Sequence, residues 1–152
     1  MLADDSKPAI EMERIMTDID RLEGSGIRAT SARLKIINLL ESSQRRHLRA
    51  EDIHRELIDS GEHIGIATVY RTLTQFEAAG IVQRHNFDDD HAVYELSDGE
   101  HHDHMVCTKC GAVKEFVDHT IEQCQLDIAQ KNNFKMTDHQ LVIFGLCAGC
   151  CS

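Results

Sequence analysis

Apolar residues recur at steps of three and four through the first half of the chain, then give way to short alternating runs. Leu34, Ile37 and Leu40, with Ile36 and Leu39 beside them, follow Thr30-Ser31, either of which can cap a helix. Ile53, Leu57 and Ile58 mark one face of a second helix over 50–59, which stops at Ser60-Gly61. A third helix is expected from Ile66 to Ala79, ended by Gly80, with Ile66, Val69, Leu73 and Phe76 as its buried stripe. Thr68, Tyr70, Arg71, Thr72 and Gln75 are then left facing outward. A short helix over 16–22 precedes these three, and residues 1–15, with the only proline (Pro8), are expected to be a flexible extension.

After Gly80 the period changes. Residues 81–87 and 92–96 read as two strands joined by the acidic turn Asp88-Asp89-Asp90. Helices followed by a hairpin predict a winged helix. Ser97-Asp98-Gly99-Glu100 is a polar, glycine-containing break, which divides the chain into 1–15, 16–97 and 98–152. Beyond it, residues 105–107, 112–117 and 140–145 read as strands and 120–131 as a helix. The fold class expected is α+β: an N-terminal winged helix-turn-helix domain, then a small α/β domain.

A helix that enters the major groove buries one stripe and offers small polar and cationic side chains on the other side. The segment GIATVYRTLTQFEAAG has that division, with Tyr70 and Arg71 as groove contacts and Thr68 and Thr72 as phosphate or base-edge partners. Arg28, in the turn before the capped helix, is placed to reach backbone or minor groove. The net charge of -10 is opposite in sign to what such a partner calls for, but its distribution is uneven. Residues 21–86 hold ten Lys/Arg against eight Asp/Glu, residues 87–152 four against twelve, and residues 1–20 two against six. One partner that is an anion and another that is a cation fit that asymmetry.

The cation is indicated by six cysteines and ten histidines. Residues 1–15 contain no apolar run of signal-peptide length, and nowhere do roughly 18 apolar residues follow one another, so a cytoplasmic location without membrane contact is expected. Thiols stay reduced there, which turns paired cysteines towards metal. Cys107 and Cys110 form one CxxC pair, and Cys147 and Cys150 another after 36 intervening residues. Four thiolates complete a closed tetrahedral zinc site, structural in kind. Cys151 is an alternative to Cys150 as fourth ligand, with CxxC spacing favouring Cys150; Cys124 reads as a buried apolar residue. His101-His102-Asp103-His104, on an extended strand, points His102 and His104 one way and His101 and Asp103 the other. Mixed imidazole and carboxylate donors suit exchangeable divalent ions such as Fe²⁺, Mn²⁺, Co²⁺ or Zn²⁺.

GIRATSARLKII, AEDIHRELIDSGEHIGIATVYRTLTQFEAAGIVQRHNF, YEL and HHDHMVCTKCGAVKEF together resemble the ferric uptake regulator family, from about Gly26 to Cys150, with ATVYR and HHDHxxCxxCG the most specific pieces. The resemblance implies a winged helix plus an α/β dimerisation domain, and a homodimer or tetramer that binds inverted-repeat, double-stranded operator DNA when loaded with metal. It implies DNA contacts at Tyr70, Arg71 and Arg28. It implies a regulatory metal site of His47, Glu95, His102, His104 and Glu115, and an additional site of His101, Asp103, Glu122 and His139. One departure is Ala32, where the family usually has proline before the helix arginine, here Arg33. Peroxide-sensing relatives place aspartates where this chain has Glu95 and Glu115, so the iron-responsive branch is the nearer match.

The expectation is therefore a repressor, not an enzyme: structural Zn²⁺, regulatory Fe²⁺ replaceable in vitro by Mn²⁺, Co²⁺ or Zn²⁺, no small organic substrate, and control of iron-homeostasis genes. Because His47 and Glu95 precede the domain break while His102 and His104 follow it, one ion would span the hinge. The alternatives are a zinc-, manganese- or peroxide-responsive member of the same family and, more distantly, a zinc metalloenzyme or a zinc-ribbon interaction module.

Overall fold

Helix starts in this chain follow from which residues stand where backbone N–H groups need partners. A computed structural model describes residues 7–87, 91–97 and 101–151. The first helix, α1 (Lys7–Gly24), begins well before Met16, so residues 7–15 are helical and not the flexible extension expected. Pro8 sits in its first turn, where a missing N–H costs nothing and a fixed φ suits the helix. Met12, Ile15, Met16, Ile19 and Leu22 recur along it at the spacing of one helix face; Met12, Ile15 and Met16 are exposed, whereas Leu22 and Asp18 are buried. In α2 (Ser31–Ser42), the Thr30 side chain accepts from the Arg33 N–H, and Ile36, Ile37 and Leu40 are buried.

Helix α3 (Ala50–Asp59) buries Ala50, Ile53 and Leu57, while Ile58 is exposed rather than on the buried face. Helix α4 (Ile66–Ala78) buries Val69, Thr72, Leu73 and Phe76. Two expectations change here. Thr72 lies at 4% exposure on the core face, and Ile66 is 36% exposed at its edge. Positions 69, 72, 73 and 76 are an unbroken three-one-three stripe, so the helix turns its threonine inward and leaves Ile66 at the margin. After α4, Gly80 takes a φ of +71°, and Ile81 N–H closes back on Phe76 O at 2.8 Å. That left-handed residue ends the helix and aims the chain into the hairpin.

The hairpin pairs β1 (Val82–Asn86) with β2 (Ala92–Leu96), antiparallel, from Val82↔Leu96 to Asn86↔Ala92. The Asp88-Asp89-Asp90 turn lies outside the described residues. An isolated bridge, with N–H groups of Leu48 and Tyr94 exchanged at 3.0 and 2.8 Å, ties the segment before α3 to β2. Leu22, Ile37, Leu48, Ile53, Leu73 and Phe76 meet beneath these elements in one apolar core. Each such side chain contributes roughly 1.5–3 kcal/mol on burial. Four helices and a two-stranded wing make this unit, Met1–Asp98, a winged helix.

The second unit, Gly99–Ser152, holds β3 (Asp103–Cys107), β4 (Val113–Phe116), α5 (His119–Lys131) and β5 (Val142–Gly145). Its sheet has the order β4-β3-β5, antiparallel between β3 and β4 and parallel between β3 and β5. Asp118 caps α5, accepting from Ile121 and Thr120 N–H groups, which hold its carboxyl below the usual carboxylate range. Among the described residues, α5 has no buried side chain, and Cys124 is exposed, not an apolar core residue. Among the described residues of this unit, Val106 and Cys107 are the buried apolar side chains. So thin a core calls for another source of order. The chain is thus an α+β protein: a winged helix-turn-helix unit followed by a small α/β unit. No described helix is long and apolar enough to cross a membrane.

Candidate metal centres and the outward face of α4

The parallel β3–β5 pairing brings two CxxC segments together. Cys107 pairs with Gly145 across the sheet, which sets the turn after β5 beside the turn after β3. In that first turn Gly111 takes a φ of +73°, with its N–H on Cys107 O at 2.9 Å, so the chain doubles back and Cys110 returns towards Cys107. Sγ atoms of Cys107, Cys110, Cys147 and Cys150 all lie within 4.8 Å of one another, and those of Cys110 and Cys147 are 3.7 Å apart. Thiolates about 2.3 Å from a tetrahedral zinc stand about 3.8 Å from each other, so the set fits that ion. Backbone N–H groups of Cys147 and Cys110 pull the Cys107 thiol down to about 6. Hydrogen bonds among the thiols, that to Cys147 first, push Cys150 up to about 12. Cys151 Sγ instead lies 3.2 Å from Leu146 O, so Cys150 is the sulfur in the cluster.

A second set in this unit joins His101, Asp103, Glu122 and His139, from β3 and its approach, α5 and the approach to β5. The two Nε2 atoms of His101 and His139 are 2.8 Å apart, and each lies 3.3 Å from Glu122 Oε1. Asp103 is 1% exposed, and neither of its carboxylate oxygens has a hydrogen-bond partner. Buried orphaned carboxylate oxygens facing two imidazoles fit a cation bound among them. His102 and His104 lie on the opposite side of the strand, ring centroids 4.9 Å apart, with Glu115 Oε1 3.9 Å from His102 Nε2. Glu115 stands across from His104 in the β3–β4 register.

In the winged-helix unit, His47 Nε2 is 3.1 Å from Glu95 Oε2. The Leu48↔Tyr94 bridge is the cause, because antiparallel pairing there sets residue 47 opposite residue 95. His85 was not among the expected site residues. Its Nε2 is 2.6 Å from Glu95 Oε1, and its ring stacks on Phe87 at 5.4 Å. The β1–β2 register, His85↔Val93, puts residues 85 and 95 diagonally on one face; periodicity alone carries no register.

On α4, Tyr70, Arg71 and Thr74 are exposed, Thr68 and Gln75 half-buried, and Thr72 buried. The outward face is therefore 67, 70, 71 and 74. Tyr70 Oη donates to Glu51 of α3. Arg33 spans from α2 to this helix, giving one hydrogen bond to Arg28 O at 2.6 Å and another to Gln75 Oε1 at 2.8 Å. Arg28 itself is exposed.

A model of the ferric uptake regulator family matches residues 24–144. The chain belongs to that family. It is accordingly a metal-dependent transcription regulator, and the family's pattern runs through both units. A ferric uptake regulation protein of Legionella pneumophila is 55% identical over 135 residues, covering 89% of this chain and 99% of that protein. The ferric uptake regulator of Vibrio cholerae superposes with a TM-score of 0.81 at 48% identity, over 85% of this chain and 98% of that one; its structure is described as revealing rearrangement of the DNA-binding domains. The regulator of Pseudomonas aeruginosa, solved with manganese, gives 0.76 at 46% identity over 86% and 98%.

Proposed function

We propose that this chain is an iron-responsive repressor that binds inverted-repeat, double-stranded DNA as a homodimer and controls iron-homeostasis genes. Cys107, Cys110, Cys147 and Cys150 hold a structural zinc. His47, Glu95, His102, His104 and Glu115 hold the regulatory ion, Fe²⁺, and His101, Asp103, Glu122 and His139 an additional ion. The carrying observation is the His47–Glu95 pair at 3.1 Å, an imidazole and a carboxylate brought together where the segment before α3 meets the wing strand β2 of a winged helix.

That pair belongs to the reading unit, and His102 follows Glu95 by only seven residues, across the break between units. When bound, a divalent ion supplies a shared charge that draws imidazole and carboxylate donors of both units to one point. Fixing the angle between the units fixes the spacing of two recognition helices in a dimer, which must match half-sites about one helical turn apart. The rearranged DNA-binding domains of the V. cholerae relative support a movable angle, and manganese with the P. aeruginosa relative supports a divalent ion.

DNA contact is assigned to Tyr70, Arg71, Thr68 and Arg28, with Thr74 replacing the buried Thr72. A second copy of the chain as partner is supported by the exposed apolar side chains of the α/β unit. Phe134 is 77% exposed, and Leu126, Ile128, Ile143, Phe144 and Leu146 are exposed with it, beside the edge strand β5. Apolar side chains exposed in this number are costly in water and fit a covering partner.

The test is metal analysis of protein as purified, then DNA binding titrated anaerobically with Fe²⁺, Mn²⁺ and Zn²⁺. One tightly held zinc per chain, plus retardation of an inverted-repeat duplex that needs an exchangeable ion and is reversed by chelator, is expected. Retardation indifferent to metal and chelator would refute the reading.

A further inference from the structure

We propose that Glu51 of α3 is a positioning residue for Tyr70 of α4, and that this pair sets how well the recognition helix distinguishes its target from other DNA. The inference rests on the DNA-binding reading above. Tyr70 is 43% exposed on the outward face of the helix, beside Arg71, so its own helix gives the phenol little to lean on. Its hydroxyl instead donates to Glu51 Oε1.

Glu51 is suited to hold it. It stands in the first turn of α3, whose N-cap residue, Arg49, makes no side-chain capping bond. The Glu51 carboxylate accepts from its own backbone N–H there, at the electropositive end of the helix. It is thus anchored to α3 independently of Tyr70. The hydrogen bond from Tyr70 holds the Glu51 carboxyl below the usual range and the same bond raises the phenol, so the donor and acceptor roles are fixed at neutral pH.

Two consequences follow for a duplex against this face. The single donor of Tyr70 is committed to Glu51, so the ring edge and the remaining lone pair of its oxygen are what meet the bases. A carboxylate is also held close to where phosphates must pass, which opposes attraction common to all sequences. Orientation favours the correct site and charge disfavours the rest. Both raise the ratio of specific to non-specific affinity.

The test uses the full-length, metal-loaded protein, a duplex enriched from a random-sequence pool by that protein, and a scrambled duplex of equal composition. Glu51→Ala is expected to lower the ratio of the two affinities by about tenfold, the scale of one lost base-edge interaction. Glu51→Gln keeps an acceptor for the phenol without the charge. It is expected to retain most of the affinity for the enriched duplex while binding the scrambled one more tightly and with a steeper salt dependence. Tyr70→Phe should lower the ratio in the parent and do little in a Glu51→Ala background, since the two side chains act as one unit. An unchanged ratio in Glu51→Ala, or additive effects of Glu51→Ala and Tyr70→Phe, overturns the inference alone. Failure of the unaltered protein to enrich any duplex overturns the DNA-binding reading and the inference with it.

Discussion

Glu95 faces His47 across 3.1 Å through one carboxylate oxygen and His85 across 2.6 Å through the other. All three side chains are nearly closed to solvent, and the carboxylate is 2% exposed. A carboxylate gripped on one oxygen by a stacked imidazole has little rotational freedom left, so the other oxygen is aimed. In the proposed clasp His47 and Glu95 are ligands, and His85 is the residue that holds one of them in direction.

His85→Ala is therefore expected to weaken binding of the exchangeable ion by about 10–100-fold, the usual cost of losing a partner behind a metal ligand. The tightly held zinc should be unaffected. His85→Gln, which keeps a donor for Glu95, should recover most of the loss. Competition against a chromophoric chelator measures both.

Zinc uptake by the four cysteines should release protons and tighten as pH rises. At pH 7.5 Cys107, with its pKa near 6, is already a thiolate, whereas Cys150, near 12, still carries its proton and must give it up. Calorimetry in buffers of different ionisation enthalpy should register that proton release. Cys147→Ser should abolish the zinc and lower the unfolding temperature, because the α/β unit has so little apolar core beside it.

Asp18 is buried against Glu41, itself paired with Arg14 at 3.2 Å and Arg21 at 3.1 Å. Burial first, and Glu41 second, raise the Asp18 pKa from 3.8 to about 6. The folded protein thus holds a proton that the unfolded chain has lost, and this contribution to stability, complete below pH 3.8, disappears as pH rises through 6. Asp18→Asn removes the ionisation. It should stabilise the protein at pH 7.5, by on the order of 2 kcal/mol, with a gain that shrinks steadily as pH falls towards 4. Urea unfolding at several pH values gives the comparison.

Arg71 and Thr72 adjoin in sequence and should differ sharply in effect. Arg71→Ala removes an exposed cation from the recognition face, and about 5–100-fold weaker binding of the enriched duplex is expected. Thr72→Val alters only a core side chain, and binding within about threefold of the parent is expected, any loss appearing as stability instead. Gel retardation and thermal unfolding of both variants separate the two roles.

Much of this arrangement is legible in the chain because it depends on local spacing. CxxC turns, the Thr30 cap and the α4 stripe each need only a few consecutive residues. What periodicity misses is set by neighbours distant in sequence. Thr72 turns inward because α4 rotates to seat Phe76 and Val69, which a polar residue in a hydrophobic stripe does not announce. His85 meets Glu95 through hairpin register, and Glu51 meets Tyr70 through the packing of two helices. The early turns of α1 are legible in the spacing of Met12, Ile15, Met16 and Ile19; what that spacing does not show is that Met12, Ile15 and Met16 stay exposed.

The central claim, that a metal clasp separate from the zinc controls DNA binding, is tested most directly by the double variant His102→Ala/His104→Ala. Retardation of the enriched duplex should be measured with and without Fe²⁺ under anaerobic conditions, alongside zinc content and oligomeric state. The account predicts one zinc per chain, an intact dimer and no metal-dependent retardation. A variant that still answers to Fe²⁺ as the parent does would contradict it.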